Sequence, residues 1–147
     1  MKKIFFLLSL IMVGCQLNPT DYSQANDEEI QIYLEENNLE ATKTASGLYY
    51  HIDVEGSGNQ AQLDDVVMVK YQAYSTEGIV YLNYTKGAVQ IDLTQYIEGF
   101  QEGVSYMKEG GKSTLYIPAA LAFGDRDHQG IPKGSVLIYE VELLEIL

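Results

Sequence analysis

Apolar and polar positions alternate most regularly from Val66 to Tyr74, where Val67, Val69 and Tyr71 fall on one side and Met68, Lys70 and Gln72 on the other. A period of two is that of a β-strand with one buried face. The same pattern predicts a strand at Leu48–Asp53, with Leu48, Tyr50 and Ile52 alternating with Tyr49, His51 and Asp53, and another at Val89–Leu93, with Val89, Ile91 and Leu93 alike. Lys112–Ile117 follows suit through Leu115 and Ile117. Val136–Leu144 is the longest candidate, with Leu137, Tyr139, Val141 and Leu143 inward and Glu140 and Glu142 outward. Thr76-Glu77-Gly78 turns the chain into a returning strand, Ile79–Tyr84, while Gly56-Ser57-Gly58-Asn59, Thr85-Lys86-Gly87 and Gly110-Gly111 interrupt the pattern as turn residues do.

Two segments switch to helical spacing. Ile30, Tyr33 and Leu34 share a face of a helix that Asn26 or Asp27 would cap, with Glu28 and Glu29 in the first turn and an end at Asn37-Asn38. A helix this short is not stable alone, so docking on the domain is expected in preference to service to a partner. The second helix, about Phe100–Met107, aligns Phe100, Val104 and Met107, with Gly103 permitting close approach to a sheet. Strands gathered around one short helix make an antiparallel α+β domain. There is no internal repeat and no low-complexity tract.

With 147 residues, 46% of them hydrophobic and 20% charged, the chain fits one folded domain with a small addition. Met1-Lys2-Lys3 and the apolar run Ile4–Val13 have the form of a secretory signal, and the run is too short to span a bilayer. Its end, Met12-Val13-Gly14-Cys15, resembles a bacterial lipobox, in which the signal is cut before a cysteine that becomes lipid-modified. An ordinary secretory signal with a stray cysteine is the alternative; the only cysteine of the chain standing at the expected cut favours the lipid. Residues 1–14 are then the signal peptide and 15–26 a flexible tether. Removing Lys2 and Lys3 takes the formal charge from −12 to −14, a surface unsuited to nucleic acid or anionic lipid heads.

The stretch from Tyr96 to Ile146 carries a more specific signal. Ile97-Glu98-Gly99-Phe100, Glu102-Gly103-Val104, Met107, Gly110-Gly111-Lys112, Ile117-Pro118, Leu121-Ala122-Phe123-Gly124, Ile131-Pro132 and Val136–Leu144 follow one another in an order that closely resembles the C-terminal half of an FKBP-type peptidyl-prolyl cis-trans isomerase. The resemblance implies a curved antiparallel sheet wrapped around one short helix, with the pocket between them and an N-terminal helical extension. It covers residues 62–147, leaving 27–61 as the added helix and strand.

It also implies a site. Tyr71 matches a pocket tyrosine, Tyr81 stands where phenylalanine is usual, Phe100 takes the place of a floor tryptophan, Phe123 that of a tyrosine and Tyr139 that of a phenylalanine. These five are the implied catalytic positions. Val89 and Ile131 are wall positions beside them, and Tyr96 and Ile97 match a pair whose backbone meets the substrate. Leu82 occupies the place of an aspartate; Asn83 would replace that carboxylate if the correspondence were off by one. No metal or cofactor is implied, and His51 and His128 lack a second ligand at metal spacing. No Ser-His-Asp, paired-carboxylate or phosphate-loop arrangement stands out.

The implied function is prolyl isomerisation in proline-containing segments of unfolded or extended polypeptides, assisting exported proteins. The chain would be lipid-anchored through Cys15 in the bacterial envelope, facing the periplasm; Gln16 lacks an acidic retention signal and points to the outer membrane. The alternative is an FKBP-like chaperone or assembly lipoprotein that binds without turnover, motivated by Leu82 and Phe123.

Overall fold

The computed structural model describes residues 21–147, so the signal segment, Cys15 and most of the expected tether lie outside the described residues. The chain runs α1 (Ser23–Glu36), β1 (Thr42–Lys43), β2 (Tyr49–Val54), β3 (Val66–Tyr74), β4 (Val80–Asn83), β5 (Val89–Asp92), α2 (Glu98–Ser105), β6 (Lys112–Ile117) and β7 (Leu137–Ile146). One antiparallel sheet is ordered β1-β2-β6-β7-β3-β4, with β5 also paired to β3. β3 is long enough to take two short partners in succession: Val66–Val69 pair with β5, and Gln72–Tyr74 pair with β4. The long strands β3 and β7 lie side by side, with Tyr71 opposite Val141 and Ala73 opposite Tyr139.

The alternation seen in the sequence sets the inner face. Val67, Val69, Tyr71 and Ala73 of β3, Leu115 and Ile117 of β6, and Leu137, Tyr139, Val141 and Leu143 of β7 are buried against Phe100 and Val104 of α2 and Met107 beyond it. Gly99 and Gly103 hold α2 close, since a Cβ at either would run into the side chains of Ile117 or Leu115 respectively. The helix opens two residues before the expected Phe100, with Glu98 in the first turn where the dipole favours an acid.

The outer face carries a second core. Ile30 and Leu34 of α1 dock on Tyr49, Tyr116, Val136 and Ile138, with Tyr33 and Tyr74 packed at the margin. Helix α1 therefore covers the side of the sheet opposite α2, as its shortness requires. Polar contacts fasten its outer edge: the Tyr49 hydroxyl donates to Asp27 at 2.7 Å, and the Lys43 ammonium pairs with the same carboxylate at 2.5 Å. The hydrogen bond from Lys43 holds the Asp27 carboxyl below its usual range.

The start of α1 differs from the expectation. It begins at Ser23, so residues 23–26, assigned to the tether, are helical, and neither Asn26 nor Asp27 is the cap. The cap position falls on Tyr22, whose side chain makes no capping bond, and the Asp21 carboxylate one residue earlier accepts from the Ser23 N–H at 2.9 Å. Asn26 is instead turned inward and buried at 2% exposure, because two backbone groups of a distant loop engage its amide.

Candidate functional site

Four of the ten candidate side chains are fully enclosed on the inner face: Tyr71 from β3, Phe100 from α2, Tyr139 from β7 and Ile131 from the β6–β7 loop. The Phe100 ring stands 5.2 Å from Tyr96, 5.3 Å from Tyr139 and 5.7 Å from Tyr71 between centroids, and Tyr71 stacks on Tyr139 at 5.8 Å with the planes 20° apart. These are distances at which aromatic quadrupoles attract in tilted and offset geometries. The other six, Tyr81, Leu82, Val89, Tyr96, Ile97 and Phe123, are half-buried and pack around the same cluster. The structure thus brings all ten together, four as floor and inner wall and six as rim.

A bulge explains how neighbours Tyr81 and Leu82 both reach that cluster. Leu82 pairs with Ala73 but Val80 pairs with Tyr74, leaving Tyr81 as the extra residue in β4. Strict alternation would have turned one of the two outward. Asn83 does not stand in for the missing carboxylate: it is exposed, and its Oδ1 accepts from the Thr85 N–H at 3.2 Å and the Thr85 hydroxyl at 2.7 Å in a local turn.

Little polar chemistry remains among the enclosed rings. The Tyr71 and Tyr96 hydroxyls lie 3.3 Å apart and share a hydrogen bond. Burial pushes the phenols of Tyr71 and Tyr139 well above their ordinary value, so both stay protonated and can only donate or accept as neutral groups. The Tyr96 backbone is already engaged, its N–H donating to Leu93 and its carbonyl accepting from the Gln101 amide at 2.7 Å. Among the described residues the Ile97 N–H has no partner, so of the two it is Ile97 whose backbone can donate to a bound carbonyl.

From the rim a cleft of about 330 Å³ runs between the start of α2 and the β6–β7 loop, lined by Tyr96, Ile97, Leu121, Ala122 and Phe123 among others. Phe123 stacks face to face on His128 at 4.1 Å, which gives that exposed imidazole a packing role. A cavity of about 340 Å³ between Asp53, Lys70, Thr114 and Glu140 opens on the outer face, across the sheet from the rings. Among the described residues no three His, Cys, Asp or Glu side chains converge as metal ligands would. One aromatic escaped the sequence reading: Tyr84 lies 5.1 Å from Tyr71 and donates its N–H to the Tyr71 carbonyl. Its only signal was its place just before the Thr85-Lys86-Gly87 turn.

The family model for FKBP-type peptidyl-prolyl cis-trans isomerases matches residues 57–144, which include every one of these ten positions. The chain belongs to the FKBP-type peptidyl-prolyl cis-trans isomerase family. It is 36% identical over 129 residues to the probable FKBP-type isomerase FkpA of Neisseria meningitidis, covering 84% of this chain and 47% of that one. Against FkpA of Escherichia coli the identity is 38% over 107 residues, 71% of this chain and 40% of that one. The chain therefore spans less than half the length of these curated relatives. The crystal structure of the Escherichia coli FkpA superposes with a TM-score of 0.74 at 32% identity, covering 84% of this chain and 60% of that one. AtFKBP13 gives 0.68 at 27% identity over 74% of this chain and 99% of its own. The FKBP-type fold accounts for the sheet, α2 and the ring cluster packed between them.

Proposed function

We propose that this chain is a prolyl isomerase whose substrates are extended Xaa-Pro segments. The observation that carries the reading is the cluster of enclosed rings Tyr71, Phe100 and Tyr139, with Tyr96 at its rim, inside the family-matched region. Rotation about an Xaa-Pro bond sacrifices amide resonance against a barrier of roughly 20 kcal/mol, so a catalyst needs only to hold the twisted amide better than either planar form. The twisted amide has lost much of its charge separation. An apolar cup with an aromatic floor suits the proline ring and that weakened dipole, while the Ile97 N–H and the Tyr71–Tyr96 hydroxyl pair offer donors for a neighbouring carbonyl.

A lipid on Cys15 would place this activity at the bacterial envelope membrane, facing the periplasm and serving exported chains; the non-acidic Gln16 favours the outer membrane over the inner. Several acyl chains on one cysteine hold firmly where a single chain does not. Among the described residues no helix is long and apolar enough to cross a membrane. Incorporation of labelled palmitate by the wild type and none by Cys15→Ser is the expected result.

A second reading, binding without turnover, is favoured by one feature: Leu82 and Phe123 bring no carboxylate and no hydroxyl to the rim. The test is the cis-to-trans rate of an apolar Xaa-Pro-Phe peptide with the full chain in detergent, beside Leu82→Asp and Phe123→Tyr. Acceleration by the wild type, with either variant within about fivefold of it, supports the isomerase, since one hydrogen bond is worth about 1 kcal/mol. No acceleration by the wild type and recovery in a variant would transfer the conclusion to the binding module.

A further inference from the structure

The β6–β7 connection is the longest in the fold, running from Pro118 to Val136 between strands that end at Ile117 and begin at Leu137. It carries Phe123 and Ile131 and forms one wall of the cleft beside the cup. A loop of this length has many conformations available unless something ties it down. Within itself it has a few backbone bonds, from Gly124 to Ala119, from Gly134 to Gly124 and between His128 and Ile131.

The Lys133 N–H also donates to Asp127 and the Ser135 hydroxyl to the Pro132 carbonyl, while Ile131 and Val136 are buried in the two cores. Further ties reach the loop from the start of α1. Asn26 Oδ1 accepts from the Ala119 N–H at 2.9 Å, and Asn26 Nδ2 donates to the Gly134 carbonyl at 2.9 Å. One buried amide therefore joins the two ends of the loop, and its two bonds require opposite polarities that only an amide side chain supplies in this setting. Four residues earlier, the Tyr22 hydroxyl donates to Asp125 at 3.0 Å near the loop's middle, and the Tyr22 ring lies against Gly134, where a Cβ would collide with it. The core that fastens α1 to the sheet is made by Ile30 and Leu34 and takes in Val136 at the loop's end, so these polar ties add to an apolar one.

We infer that Asn26 and Tyr22 are positioning residues for the cup: the start of α1 clasps the loop that carries Phe123 and Ile131 and so fixes the cleft in the shape that receives substrate. Losing the Asn26 amide strands the Ala119 N–H and the Gly134 carbonyl, and the cheapest relief is for the loop to swing toward water. A wall displaced by about 1 Å costs an enzyme one to two orders of magnitude in turnover.

The sequence provides a direct probe, because Arg126 is the only arginine in the chain and lies exposed in this loop. The full chain in detergent, as wild type, Asn26→Ala and Tyr22→Phe, is exposed to an arginine-specific protease, and kcat/KM for the Xaa-Pro peptide is measured in the cold per folded molecule. The expected result for Asn26→Ala is cleavage at Arg126 about tenfold faster and kcat/KM about tenfold lower, with a two- to threefold effect of each kind for Tyr22→Phe. Unchanged cleavage in the variants overturns the clasp, and faster cleavage with unchanged kcat/KM overturns its role in positioning. If Asn26→Ala does not fold, the Tyr22→Phe pair of measurements decides in the same way. The kinetic arm rests on the isomerase reading whereas the cleavage arm does not; should the wild type show no turnover, affinity for a fluorescent Xaa-Pro peptide replaces kcat/KM.

Discussion

Replacing Phe100 by tryptophan, the residue common at this place in the family, tests whether the cup is full. The Phe100 side chain has no exposed surface, and three tyrosine rings stand within 5.7 Å of its centre. Helix α2 already sits tight on the sheet, with Gly99 and Gly103 against Ile117 and Leu115, and leaves no slack on that side. A larger ring must lift the helix or push Tyr71, Tyr96 or Tyr139 off their rotamers. Overpacking of this kind costs about 1–3 kcal/mol. At roughly 3–5 °C per kcal/mol for a domain of this size, the melting point of Phe100→Trp is expected to fall by about 3–15 °C. The chain has no other tryptophan, so the new indole reports its own burial by fluorescence during the melt. A melting point equal to or above the wild type, with a blue-shifted indole emission, would mean that unfilled space remains beside Phe100 and that the overpacking argument is wrong.

Alkaline unfolding is a second expectation. Burial raises the phenol pKa of Tyr71, Tyr74, Tyr116 and Tyr139 above 10.0, that of Tyr116 to about 12. The folded state keeps protons that the unfolded chain releases, so this stability is complete below about pH 10 and is lost as pH rises through the folded values. Ionisation of these four of the twelve phenols and loss of circular dichroism should therefore coincide above pH 10; full ionisation of all twelve with the dichroism intact would contradict the burial argument. The Asp27 carboxyl, lowered chiefly by its hydrogen bond from Lys43, has the opposite sign. Its small contribution is present above the ordinary value of 3.8 and lost as pH falls through the lowered one, so the difference between wild type and Asp27→Asn in urea should vanish in acid. Gly103→Ala gains about 1 kcal/mol of helix propensity but collides with Leu115, and a net loss of about 1 kcal/mol in urea is expected.

The inner core was legible because it obeys one period at a time. Val67, Val69 and Tyr71 were placed correctly by alternation, as were Tyr139, Val141 and Leu143, and Phe100 and Val104 by helical spacing. Three features departed from simple periodicity and escaped. Tyr49, Tyr116 and Ile138 belong to the strand face opposite the main core, yet α1 covers them, and alternation cannot tell a face turned to water from one turned to a helix. The bulge at Tyr81 is set by pairing with β3, which no local pattern records. Asn26 reads as a cap because short polar side chains favour helix starts, but its partners lie 93 and 108 residues away. The family resemblance singled out this ring cluster as the candidate cup where alternation alone could not, since a buried tyrosine in a strand looks the same whether it lines a pocket or fills a core.

The contact of Tyr22 with the rim loop has a geometric consequence for where the protein works. Tyr22 lies seven positions after Cys15, a stretch that even a fully extended chain covers in at most about 25 Å. With a lipid on Cys15, as proposed, Tyr22 could not rise further than that from the bilayer surface, and the loop residues it touches, Asp125 and Gly134, would stay within a side chain's reach of it. The leash would then set a working depth: segments emerging at or lying along the membrane would meet the cleft, and chains already free in the surrounding fluid would have to come down to it.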